Sequence, residues 1–107
     1  MKRGDLVIVA LPGDYGTPRP ALIVQGDAFE EIALVTVLPL TTDLQPAPLV
    51  RIAVAPTPDN GLRRRSHVMI DKAATLPGSK VGRRIGRLDP AAMGAVGAAL
   101  ANFLGLE

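Results

Sequence analysis

Short apolar runs rich in Val, Ile and Leu, each broken by a proline- or glycine-bearing turn, fill the sequence up to about Ile70. A chain cut in this way has little choice but β-structure, because each run is long enough for a buried strand and too short for a packed helix. Five strands are expected, at 6–11 (LVIVAL), 21–25 (ALIVQ), 31–38 (EIALVTVL), 49–54 (LVRIAV) and 66–70 (SHVMI). The intervening PGDYGTPRP, GDAFE, PLTTDLQPAP and PTPDNGLRRR carry turn chemistry. Such spacing suits a small antiparallel barrel or barrel-like sheet. The pattern changes after Leu88. Asp89 is placed as an N-cap and Pro90 as the first helical residue. Met93, Val96, Leu100, Phe103 and Leu104 then recur at helical spacing, and Gly105 marks a stop. The opposite face of this helix is Ala and Gly, which suits packing on the sheet or close approach of a neighbour.

At 107 residues the chain is one domain, with no linker or internal repeat. Only Tyr15, Phe29 and Phe103 are aromatic, so the core must be aliphatic. The absence of cysteine excludes a disulfide frame and thiolate catalysis. The opening MKRGDLVIVALPG has the outline of a signal peptide, but its apolar run falls short of the ~7–15 residues such a region needs. No stretch reaches the ~20 apolar residues of a membrane span, so a cytoplasmic protein with no membrane partner is expected.

Charge is unevenly placed. Residues 1–50 carry three basic and six acidic groups, residues 51–87 nine basic and two acidic, and residues 88–107 two acidic, or −3, +7 and −2. The +7 stretch fits a polyanionic partner and equally a solvated basic face. It contains no aromatic residue for base stacking.

The chemistry available is narrow. A single histidine, no cysteine and scattered acids speak against a metal site. His67 alternates within a strand pattern and reads as a structural or surface histidine. No nucleophile-elbow sequence supports a serine triad. GSKVG at 78–82 lacks P-loop spacing. What remains is metal-free acid–base chemistry beside a basic surface. Arginine suits it, since its planar fork binds a phosphate through two hydrogen bonds and stabilises charge developing on phosphorus. RNA supplies its own nucleophile, the 2′-hydroxyl. In TPRPALIVQGD, Pro18 and Pro20 pin Arg19 in extended backbone at a strand entrance. Alone, that stretch is satisfied by a solvated arginine.

The order KRGDLVIVALPG, TPRPALIVQGDAF, VTVLPLTTDLQ and SHVMIDKAATLPGSKVGRRIGRLDP resembles the MazF/PemK family of toxin endoribonucleases over essentially the whole chain. The resemblance implies an SH3-like β-barrel with a C-terminal helix, assembled as a homodimer. It also implies metal-independent, sequence-specific cleavage of single-stranded mRNA to 2′,3′-cyclic phosphate and 5′-hydroxyl ends, with no cofactor, held in check by a cognate antitoxin. By position, Arg19 matches the family's catalytic arginine and Thr41 its catalytic threonine or serine, with Thr42 beside it. Asp71 matches an acid that one branch uses as a general base. That branch has an arginine two residues earlier, where this chain has Met69, and a histidine in the first loop, where this chain has none. RNA contacts are expected from Tyr15, Thr17, Thr42, Arg63, Arg64 and Arg65. Two other classes share the fold: a non-enzymatic gyrase poison of the CcdB kind, and an inactive RNA-binding module.

Overall fold

The computed structural model describes residues 1–13 and 16–106. Its strands are β1 (Asp5–Val9), β2 (Arg19–Ile23), β3 (Leu34–Thr41), β4 (Arg51–Val54), β5 (Ser66–Met69), β6 (Ala74–Pro77) and β7 (Arg84–Arg87), followed by the helix α1 (Pro90–Phe103). All pairings are antiparallel, along the path β4–β5–β3–β2–β1–β7, with β6 added to β3. The mainly-β, half-barrel architecture with one terminal helix agrees with the sequence reading.

Two strands exceed the five expected, and the boundaries of the five shift by one to three residues, most in the third. β6 and β7 are four-residue strands that bury only Leu76 and Gly86, so neither leaves an apolar alternation to read. The third strand runs from 34 to 41 rather than 31 to 38, because Pro39 does not end it. β3 pairs with β6 through residues 34–37 and with β5 through Leu40 and Thr41. Pro39 falls in the gap between these two ladders, where the strand is locally an edge and a missing N–H is tolerated.

The three central strands are buried on both faces. Leu6, Leu22, Leu38 and Leu40 point inward with Val68, Ile70 and Val96. Their strand neighbours Val7, Val9, Ala21, Ile23, Val35 and Val37 form a second apolar layer, closed by Leu76 of β6. Helix α1 starts as expected, with the Ala92 N–H donating to Asp89 Oδ1 at 2.8 Å. Val96 is fully buried, and Met93 and Leu100 pack beside it. Phe103 and Leu104, expected on the same face, are instead about half exposed (49% and 57%).

The open ends of the sheet path are joined by the loop between β4 and β5. The Arg87 N–H donates to Asp59 O at 2.8 Å. A Cβ on Gly61 (φ 69°) would lie 2.1 Å from Ile85 O, and one on Gly86 2.3 Å from the Asn60 backbone, so both positions need glycine. Inside the loop, buried Asn60 acts as a scaffold. Its Oδ1 accepts from the N–H groups of Thr57 and Leu62, both at 3.0 Å, and its Nδ2 donates to Ala55 O at 2.9 Å.

Asp5 ties the start of the chain to its last strand. It is buried (5% exposed) and ion-paired with Arg84 Nε at 3.0 Å and Arg87 Nη1 at 3.1 Å. Burial opposes its ionisation, but the Lys2 backbone N–H and the two guanidinium groups outweigh it and hold the carboxyl below its ordinary range.

Candidate functional site

Strand register brings together residues far apart in the chain. Val9 of β1 lies opposite Arg19 of β2. Ala21 lies opposite Pro39, and extending that register by two residues sets Arg19 opposite Thr41. Thr41 in turn pairs with His67, and His67 with Ala53. The result is a row, Arg19–Thr41–His67, running straight across three strands. Because Leu38 and Leu40 point inward, Thr41 must point to the opposite face. Cross-strand neighbours of this kind have Cβ atoms about 4.5–5.5 Å apart.

Each member of the row is held by its surroundings. Arg19 sits half-buried between two prolines, and Pro20 pairs with Ile8 of β1. Thr41 Oγ1 accepts a hydrogen bond from the Asp43 N–H at 3.1 Å. That contact fixes the oxygen and leaves the hydroxyl's own proton to be donated. His67 Nδ1 is buried and makes no hydrogen bond.

Three clefts meet around this row. One of about 240 Å³ is bounded by Thr17, Arg19, Thr41, Thr42 and Ser66. On the other side of Arg19 lies one of about 520 Å³, with Leu11, Pro39, Met69 and Lys72 in its wall. A third, of about 440 Å³, shares Pro20, Thr42 and Ser66 with the first and is reached by Arg63, Arg64 and Arg83. Shared walls make the three a continuous track with Arg19 near its middle. Arg19, Arg63, Arg64, Arg83 and Lys72 line it, and no carboxylate does among the described residues. A track lined by so many cations favours a polyanion.

The structure thus gathers Arg19, Thr41, Thr17, Thr42, Arg63 and Arg64 onto one surface. Arg65 is exposed but lines none of the three clefts. Asp71 is exposed on the 3₁₀ turn Ile70–Lys72 and also lines none, although Met69 and Lys72 on either side do. Tyr15 lies outside the described residues. Sequence reasoning alone does not single out Lys72, Arg83 or His67 as site residues. The two cations are visible there only as members of the +7 stretch. Finding His67 needs the β3–β5 register. Arg84 and Arg87, in the same basic stretch, are committed to Asp5.

A family model described as the PemK-like, MazF-like toxin of type II toxin–antitoxin systems matches residues 2–104. The chain is 48% identical over 107 residues to a protein of Mycolicibacterium smegmatis named "Probable endoribonuclease MazF", covering 99% of this chain and 98% of that one. Among solved structures it is similar to the Mycobacterium tuberculosis toxin MazF-mt6, with a TM-score of 0.82 at 29% identity over 96% of this chain and 98% of that one. It is also similar to an endoribonuclease from a mycobacterial species in complex with its cognate antitoxin, with a TM-score of 0.80 at 30% identity over 100% and 97%.

Proposed function

This chain belongs to the PemK-like, MazF-like toxin family of type II toxin–antitoxin systems, and on that premise we propose that it cuts single-stranded RNA at the row Arg19–Thr41, without metal. The observation that carries the proposal is the strand register. It sets Arg19, on backbone stiffened by two prolines, across from Thr41 with its anchored hydroxyl oxygen, in the middle of a cationic track that no carboxylate lines among the described residues. The substrate's 2′-oxygen attacks the adjacent phosphorus and the bond to the 5′-oxygen breaks. The products are a 2′,3′-cyclic phosphate and a 5′-hydroxyl, and the proton lost from the 2′-oxygen is balanced by the one gained at the 5′-oxygen. Arg19 would hold the non-bridging oxygens as negative charge grows on them, and Thr41 would donate to one of them. Neither role requires a metal, because charge on the phosphorane is met by the guanidinium. Arg63, Arg64 and Arg83 would bind flanking phosphates, and Thr17 and Thr42 would line the path between.

Asp71 has no place at the track walls, so the reading puts the reaction on Arg19 and Thr41. Two further elements belong to it. A homodimer is expected, since Phe103, Leu104 and Leu106 at the end of α1 leave apolar surface exposed. An acidic, partly apolar antitoxin segment that folds on binding is expected to cover Arg19 and the basic loop. The setting for both is the cytoplasm, where mRNA is translated.

The test is incubation of purified protein with a long RNA in EDTA, followed by end analysis. Fragments whose 5′ ends accept phosphate from a kinase without prior dephosphorylation are the expected result. Intact RNA, or cleavage only after metal is restored, would overturn the proposal.

A further inference from the structure

We propose that Arg51 is a positioning residue for the Thr41 hydroxyl, acting through Asp43 rather than on the substrate. The inference rests on the ribonuclease reading above and extends it to a cation that lines none of the three clefts of the track.

Thr41 is the last residue of β3, and its pairing with β5 ends there. Its hydroxyl oxygen accepts from the Asp43 N–H at 3.1 Å, and Asp43 belongs to no strand. A threonine side chain has more than one staggered position open to it. The direction in which Thr41 offers its proton therefore depends on Asp43 staying in place, and the sheet ladder does not hold Asp43.

Side chains hold it instead. The Asp43 carbonyl accepts from Arg51 Nη1 at 3.0 Å, and its carboxylate accepts from Gln45 Nε2 at 2.9 Å. Gln45 lies in the same loop and moves with it. Arg51 does not. It opens β4, where it pairs with Met69 of β5, and the carbonyl of the preceding Val50 accepts from the Ile70 N–H at 2.9 Å. The guanidinium thus ties the loop to a fixed point of the sheet, through the stronger kind of hydrogen bond that a charged donor makes. The N–H and C=O of Asp43 flank the same Cα, so holding the carbonyl limits the torsions that would carry the N–H away from Thr41. Asp43 is exposed, so water can replace the lost bond and the fold is little affected. What changes is the aim of the Thr41 hydroxyl.

Arg51→Met keeps an apolar stem and removes the guanidinium. Single-turnover cleavage is measured for wild type, Arg51→Met, Thr41→Val and the double variant, with RNA affinity from filter binding over a salt series. Arg51→Met is expected to slow cleavage about tenfold, less than the ~10²-fold that a misplacement of about 1 Å can cost, with affinity and salt slope unchanged. In the Thr41→Val background there is no hydroxyl to aim, so the same change should alter the rate by less than about twofold. An equal loss in both backgrounds overturns the proposal, since Arg51 then acts independently of Thr41. A salt slope smaller by about 0.7 also overturns it, by making Arg51 a phosphate ligand. Unchanged cleavage by Arg51→Met overturns it too, and leaves the cleavage reading standing. A second measurement needs no turnover. Three-bond NMR couplings to the Thr41 methyl carbon should report one staggered χ1 in the native protein and an average in Arg51→Met. A rotamer held equally in both overturns the proposal whatever the rates. If wild type leaves RNA intact, the cleavage reading falls and the proposal falls with it.

Discussion

Replacing Asn60 by alanine should destabilise the fold by roughly 2–4 kcal/mol, although the residue sits in a loop. Its side chain makes three hydrogen bonds, to Thr57 N, Leu62 N and Ala55 O. At about 1 kcal/mol net for each, the direct loss is near 3 kcal/mol. Thr57 and Ala55 are exposed and recover part of it from water. Leu62 is 7% exposed and belongs to the inner core, so its N–H stays unpaired, a penalty of about 1–3 kcal/mol. Asn60→Asp keeps both acceptor bonds, but at neutral pH it turns an acceptor oxygen toward Ala55 O in a buried place, so it should also be damaging there. Protonated, it can donate to Ala55 O again, so its loss relative to wild type should shrink as pH falls. Urea unfolding followed by far-UV circular dichroism, at one fixed protein concentration, measures both. The midpoint temperature of Asn60→Ala should fall by about 10 °C or more. An alanine variant within about 0.5 kcal/mol of wild type, or an aspartate variant whose deficit is the same at low and neutral pH, would refute the claim that this side chain organises the loop. The loop also carries Arg63 and Arg64 to the track, so RNA affinity should fall in the alanine variant before the protein unfolds.

Arg19→Ala is expected to lower the cleavage rate by ~10²–10³, and Arg19→Lys not to restore it, since an ammonium lacks the planar fork. Single-turnover cleavage measures both, along with a clear loss in Thr41→Val and a small one in Asp71→Asn. Replacing Arg63 and Arg64 by alanine should flatten the salt dependence of binding, by about 0.7 in log–log slope for each phosphate no longer neutralised. Arg65→Ala should change it least, as filter binding over a salt series would show. Asp5 has a folded pKa below its unfolded one, so its stabilisation is present above the ordinary value near 4 and is lost as pH falls through the lower folded value. Wild type should therefore exceed Asp5→Asn in stability at neutral pH, with the gap closing between about pH 5 and pH 2. Sedimentation at micromolar concentration should find a dimer, and Phe103→Asp or Leu106→Asp should shift it toward monomer if the end of α1 is in the interface.

Most of the sheet could be read from the chain because its central strands are apolar on both faces, and a run such as LVIVAL admits few other fates. The helix was equally plain, from Asp89 and Pro90 at one end to Gly105 at the other. What escaped were elements defined by what they touch. β7 contributes a glycine that makes room for the Asn60 backbone and two arginines that serve Asp5. None of these appears as periodicity. The same holds at the candidate site. The prolines around Arg19 mark it locally, and the resemblance marks Thr41, but their adjacency and that of His67 exist only in the register between strands. A histidine in an alternating strand looks alike whether its face meets solvent or a substrate track. Phe103 and Leu104 kept helical spacing yet stay about half exposed. Periodicity reports that a face is apolar and is silent on what covers it.

The loop that joins the ends of the sheet path has a consequence for the order in which the protein is made. Residues of the row come from β2, β3 and β5, but Asp59, Asn60 and Gly61 find their seat only against β7, the last strand to be synthesised. Until Arg84 and Arg87 emerge, Asp5 also lacks its partners, and the N-terminal strand has nothing to hold it at that edge. A nascent chain on the ribosome can carry Arg19 and Thr41 well before this point without a finished surface to present them.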